Sequence, residues 1–213
     1  MLGREAYASS RARQCSSSSV APESSSARSG ANSLGSVPKS KRTTRPVVQF
    51  SSKSRIVIVG QAPGTKVHET GIPWDDPSGD HLREWLSVSR ESFDDPDSFA
   101  LVPMGFCYPG KAKSGDAPPR PECAPQWHER VLDAIAPEPL LLLAGQYAQQ
   151  YYLGPSRKKT LTETVRSFKE YGTQTIPLPH PSWRSRIWMK KNLWFEAELL
   201  PVLRRRVKKR LAD

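Results

Sequence analysis

Cysteine is scarce in this chain: Cys15, Cys107 and Cys123 are the three in 213 residues. So low and odd a count argues against a secreted framework held by disulfides, and a reducing compartment is expected. Long apolar runs are missing too. None approaches the roughly 18 residues that a membrane helix needs, so a soluble protein without a membrane partner is expected. Acidic residues are nearly absent from the first fifty positions, where only Glu5 and Glu23 occur. Three common signatures are also lacking. No Gly-Lys-Ser/Thr follows the glycine-rich loop, no correctly spaced G-x-G-x-x-G is present, and there is no G-x-S-x-G. These absences weigh against a phosphate loop, a dinucleotide fingerprint and a serine-hydrolase elbow. A small α/β hydrolase or nucleotide-binding enzyme acting on soluble substrates therefore has little support.

What is present is positive charge. The formal net charge is +11 and the isoelectric point is near 9.8. That balance favours polyanionic partners, nucleic acid before anionic membrane. Residues 1–50 are rich in Ser, Arg and Ala and show no apolar periodicity. They cannot bury enough apolar surface to offset the entropy of ordering, so a disordered basic tail is expected there, with the folded domain at 51–213. The tail has the composition of an organelle transit peptide, while Lys39, Lys41, Arg42 and Arg45 suit a nuclear address. A solvated tail with no address is the third reading. The expected location is intracellular: cytoplasm or nucleoid, or nucleus or mitochondrion in a eukaryote.

Beyond Lys53 the pattern changes. Four apolar runs end where loops should start: RIVIV (55–59), FALVPM (99–104), PLLLLA (139–144) and TQTIPL (173–178). The middle two lack polar alternation, as strands buried on both faces do. Helical stretches separate them. SGDHLREWLSV, with Ser78 as the expected N-cap, sets Leu82, Trp85 and Leu86 on one face. PQWHERVLDAI does the same with Trp127, Val131 and Ile135, and QYAQQYYL follows the third strand directly. WFEAELLPVLRRRVKKRL closes the chain as a long helix that Pro201 should kink or divide. The fold class expected is three-layer α/β, with a central four-stranded parallel sheet flanked by helices. In such sheets the site lies at the carboxyl ends of the strands.

Two of the loops at those ends stand out. GQAPG (60–64) follows the first strand, with Pro63 and Gly64 suited to a tight turn that brings backbone N–H groups near a ligand. PHPSWRSRIW (179–188) follows the fourth. There His180 sits between two prolines that restrict its backbone. A histidine so held can donate a directed hydrogen bond to an oxygen gaining negative charge, though a structural histidine at a rigid turn is the plainer alternative. Ser182 suits a phosphate contact, and Trp183, Arg184, Arg186 and Trp188 interleave rings and cations as nucleic-acid surfaces often do.

Taken together and in order, GQAPG and HPS resemble the paired signature motifs of the uracil-DNA glycosylase superfamily. The stretch GQAPGTKVHETGIPWDDPSGDHLREWL looks most like its thermophilic iron–sulfur branch, and the likeness covers residues 55 to about 200. The resemblance implies a uracil-DNA glycosylase-like domain that hydrolyses the N-glycosidic bond of uracil, or a related deaminated base, in DNA during base excision repair. It implies that Gly60, Gln61, Ala62, Pro63 and Gly64 surround the sugar and the attacking water. It further implies that Trp74 stacks on the extruded base, Ala62 lies beside that base, and His180 bonds O2 of uracil. Pro181, Ser182, Trp183 and Arg184 would press into the minor groove, with Pro63 and Gly64 also near DNA. A core tryptophan under the loop is the other reading of Trp74.

The departures are specific. Where the iron–sulfur branch carries a carboxylate, this chain has Gln61, which can orient water but cannot take its proton. His68, Asp75, Asp76 and Asp80 lie near in sequence as possible bases or as capping residues. The family's base-reading Asn has no counterpart in VPMGFCYPG. Cys107 and Cys123 match the family's second cysteine pair, but a C-x-x-C ahead of the first strand is missing. Four thiolates normally hold such a cluster, so no cofactor and no metal are expected. The expected partner is damaged DNA, single- or double-stranded, and the expected state is a monomer. The alternative function is a catalytically weak or inactive relative that binds DNA or abasic sites. The C-terminal LRRRVKKR lies either along DNA or at an exposed helix end, where cations suit the dipole.

Overall fold

The computed structural model describes residues 45–113 and 115–212. Residues 1–44, most of the expected tail, lie outside that range together with Cys15. The last few residues assigned to the tail are packed. Val47 is buried and its N–H reaches the Phe106 carbonyl, and Gln49 forms an antiparallel bridge with Leu101.

Four strands form one sheet: β1 (Ile56–Val59), β2 (Phe99–Leu101), β3 (Leu140–Ala144) and β4 (Thr175–Leu178). All neighbours are parallel, in the order β2-β1-β3-β4. Because β1 is central, every one of its residues is buried, and each is worth roughly 1.5–3 kcal/mol relative to exposure. Period-two alternation sends its side chains into two separate cores. Ile56 and Ile58 join α2 (Pro77–Leu86) and α8 (Leu200–Ala212), while Val57 and Val59 join α4 (Cys123–Asp133) and α5 (Gln146–Leu153). The result is the three-layer α/β architecture that the alternating pattern implied.

The shorter elements are α1 (Thr65–Thr70), α3 (Arg90–Asp94), α6 (Leu161–Arg166) and α7 (Trp183–Lys191). Strand order reverses direction between β1 and β3. A crevice opens at the carboxyl ends on either side of such a switch.

Local details differ from the sequence reading in three places. The cap of α2 is Asp76, not Ser78: its carboxylate accepts from the Gly79 N–H, and Pro77 fills the first helical position. In α4, Trp127 faces outward under Arg130, and His128 takes the buried position instead. The imidazole goes inside because both ring nitrogens find partners there, the Tyr152 hydroxyl at 2.7 Å and the Pro103 carbonyl at 3.0 Å. At the C-terminus the chain winds a π-helical turn over Phe195–Leu199, and α8 begins at Leu200. Pro201 thus lies just past the π-helical turn, whose last N–H, on Leu200, bonds the Phe195 carbonyl, so the helix continues through the proline with its local register widened.

Candidate active site

The strand ends converge on a cleft of about 440 Å³. Its lining includes Gly60, Gln61, Ala62, Pro63 and Gly64 from the loop after β1, and Trp74, Asp76 and Ser78 before α2. Pro109, Asp116 and Ala117 come from the loop after β2, and His180, Ser182 and Arg184 from the loop after β4. The loops after β1 and β2 are stitched together, because Met104 and Gly105 donate to the Gly60 and Gln61 carbonyls at 2.9 and 3.0 Å.

Trp74 is placed by two glycines. Its own backbone is left-handed, with φ at 57°, a costly state for a bulky residue. A Cβ on Gly60 would lie 2.8 Å from the indole ring, and one on Gly79 only 1.9 Å from the Trp74 carbonyl oxygen. Both positions therefore have to be glycine for the ring to lie over the first-motif backbone. The ring packs against the core with one side and lines the cleft with the other.

His180 lies two residues past β4 in a tight turn, where the Ser182 N–H bonds its carbonyl at 2.8 Å. Beneath it Gly145, directly after β3, has φ 91°, a conformation that favours glycine, and a Cβ there would lie 3.4 Å from the His180 Cβ. Gln149, fully buried, donates to the Leu143 and Leu178 carbonyls at 3.3 and 2.8 Å, tying the ends of β3 and β4 under the histidine. Burial holds the His180 pKa below the usual imidazole value, partly opposed by the negative field of Asp76. The ring is thus neutral near pH 7. The Trp74 and His180 rings stack with centroids 6.0 Å apart.

The four carboxylate and imidazole groups near the first motif separate cleanly. Asp75 is turned to Arg90 at 2.8 Å, which pulls its carboxyl below the ordinary range. Asp80 pairs with Arg83, and His68 stacks on Tyr108 at 5.5 Å. Only Asp76 of the four lines the cleft beside Gln61 and His180.

Sequence reasoning missed His81. It is buried on α2, and the Trp85 indole N–H donates to its Nε2 at 3.1 Å. The proton therefore sits on Nδ1, which faces the Pro181 carbonyl and, at 3.4 Å, the Ser185 hydroxyl. His81 ties α2 to the HPSW loop, and its i, i+4 spacing to Trp85 was the available signal. His128 supports the opposite loop through Pro103 in the same manner.

Around the mouth, Ser182 is the N-cap of α7, and its hydroxyl makes no capping bond to the helix. Trp183 does not line the cleft. Its side chain projects outward, 68% exposed, under the Arg184 guanidinium at 5.3 Å. Arg184, Arg186, Lys190 and Lys191 form no salt bridge among the described residues. The C-terminal cations differ. Arg204 caps the Glu84 and Trp85 carbonyls of α2, Arg206 bonds the Gly172 carbonyl, and the Leu211 carbonyl meets Arg55 at the amino end of the sheet, away from the cleft.

Cys107 and Cys123 both carry free thiols, and burial together with the neighbouring Cys123 pushes the Cys107 thiol up. Cys123 Sγ already accepts the Phe106 N–H at 3.3 Å. With three cysteines in this sequence, the donor set does not fit a four-thiolate cluster.

The switch-point cleft of this parallel α/β sheet thus brings together an indole, a neutral imidazole, an amide and a carboxylate, with Arg184 at its rim. The chain belongs to the Uracil DNA glycosylase superfamily, whose family model matches residues 47–204. No helix among the described residues is long and apolar enough to cross a membrane.

Proposed function

We propose that the protein is a monofunctional DNA glycosylase that removes uracil, or a related deaminated base, from DNA. The observation that carries this reading is the stacked pair of Trp74 and His180 in one cleft with Gln61 and Asp76. A base leaves the duplex to reach such a site at a cost of a few kcal/mol, and stacking on an aromatic returns about 1–3 kcal/mol. Trp74 supplies that plate.

Bond cleavage sends the C1′–N1 electron pair onto the base. Negative charge grows on O2, and the neutral His180 imidazole donates to it. A preorganised donor of this kind is worth about 3–4 kcal/mol. The oxocarbenium-like sugar left behind takes water at C1′. Gln61 orients that water and Asp76 accepts its proton, giving an abasic sugar and the free base. Asp76 thereby fills the role that an amide at position 61 leaves open. Ser182 and the amino end of α7 suit a phosphate, Arg184 and Arg186 add charge, and the outward Trp183 serves as wedge. The protein acts as a monomer on DNA within the cell.

Gln61 is also the observation that favours a second reading, a relative that binds DNA or abasic sites without turnover. Incubation with oligonucleotides carrying uracil, hypoxanthine or xanthine, followed by scission at abasic sites, separates the two. Base release supports the enzyme. Tight, salt-dependent binding without release supports the binder.

A further inference from the structure

The loop after β2 carries a carboxylate that the mechanism above does not use. Asp116 lines the cleft with its side chain about a third exposed. Both of its partners among the described residues, the Tyr108 hydroxyl at 3.2 Å and the Lys111 ammonium at 2.9 Å, reach the same oxygen, Oδ1. Oδ2 is left without a hydrogen-bond partner among the described residues. It projects over Gly64, where a Cβ would lie 3.4 Å away. The loop itself is anchored. Thr65 on α1 donates to the Tyr108 hydroxyl at 3.1 Å, and Lys111 bridges Asp116 in antiparallel fashion. Pro109 and Ala117, beside Asp116 in the lining, offer no side-chain donor.

Thus one oxygen fixes the carboxylate and the other is a spare acceptor on the wall of a cleft built for a ring. We infer that Asp116 is the specificity-determining group that reads a ring N–H of the extruded base. The chemistry that recognises such a group is distinctive. Deamination of cytosine changes N3 from a lone pair to an N–H, and deamination of adenine does the same at N1. A carboxylate oxygen is acceptor-only. It bonds the N–H of uracil or hypoxanthine and repels the lone pair of cytosine or adenine. The sequence lacks an amide at this loop that could read the ring edge, and a fixed carboxylate supplies the accepting half of that function.

This inference rests on the glycosylase reading for its biological sense, but its test does not need turnover. Equilibrium dialysis of the full chain against free uracil, 3-methyluracil and cytosine gives the affinity ratios directly. Wild type should prefer uracil to both by about tenfold or more, the scale of one charge-assisted hydrogen bond. Asp116→Ala should bring the ratios within about threefold. The double variant Tyr108→Phe with Lys111→Met keeps the carboxylate and loosens its supports, and should retain most of the preference. A wild type without preference overturns the inference. So does an unchanged ratio in Asp116→Ala, or a collapse in the double variant equal to that in Asp116→Ala, which would assign the preference to loop order. Uracil release from DNA by wild type, scored in parallel, judges the glycosylase reading separately.

Discussion

The imidazole of His180 and the indole of Trp74 stack with ring centroids 6.0 Å apart and planes inclined by 30°. They come from opposite halves of the chain, and a glycine lies beside each: a Cβ on Gly60 would press on the indole, and Gly145, next to His180, has a positive φ that disfavours any side chain. The relationship makes the first and last strand-end loops a single device.

Gly60→Ala tests how tightly that device is set. Its new methyl would meet the indole at 2.8 Å, so the ring must shift. Overpacking of this sort costs about 1–3 kcal/mol. The expected outcome is a modest fall in Tm with a much larger fall in kcat/KM for uracil excision. Wild-type excision by the variant would show that the position of Trp74 is immaterial.

Buried histidines make stability depend on pH. His81, His128 and His180 all have pKa values held below 6.5 by burial. The unfolded chain therefore binds more protons than the folded one below about pH 6.5. Stability is full above that value and is lost as pH falls from it toward the lowered folded values. Thermal melts should show Tm flat from pH 8 to 7 and declining below 6.5. His128→Phe removes one titrating ring and the hydrogen bond it makes with the Pro103 carbonyl. It should destabilise the fold by about 1–3 kcal/mol at pH 7.5, seen as a lower Tm, and flatten the decline at lower pH.

The rim should separate affinity from folding. Trp183 is 68% exposed, so Trp183→Ala should leave stability within about 0.5 kcal/mol. If the ring wedges a duplex, excision from double strands should fall more than excision from single strands. Arg184→Gln should reduce the slope of log K against log salt by about one unit, the share of one phosphate contact.

Much of this was legible in the residues, for identifiable reasons. The four apolar runs end near the strand ends because helices cover both faces of the sheet, so even the edge strands have almost no polar face to blur their pattern. Gln61, Ala62, Pro63, Gly64, Trp74, His180, Ser182 and Arg184 share one cleft because parallel topology brings all carboxyl ends to one side. What was not legible depended on side-chain partners. Ser78 is as good an N-cap by type as Asp76, and only the Pro77 position decides between them. Trp127 matched the apolar period, yet His128 was buried because it could satisfy both nitrogens. His81 and Gln149 resemble ordinary polar helix residues until the loops they fasten are seen. Asp76 became distinct from Asp75 and Asp80 only when those two proved to be turned toward arginines.

The role proposed for His180 is to stabilise charge on a departing base. It is tested most directly by single-turnover excision of uracil from an oligonucleotide, comparing wild type with His180→Ala at pH 7.5. Wild type should release the base and the variant should do so about 10²–10³-fold more slowly, with Tm little changed. A wild type that releases nothing, or a variant that releases uracil at the wild-type rate, would contradict it.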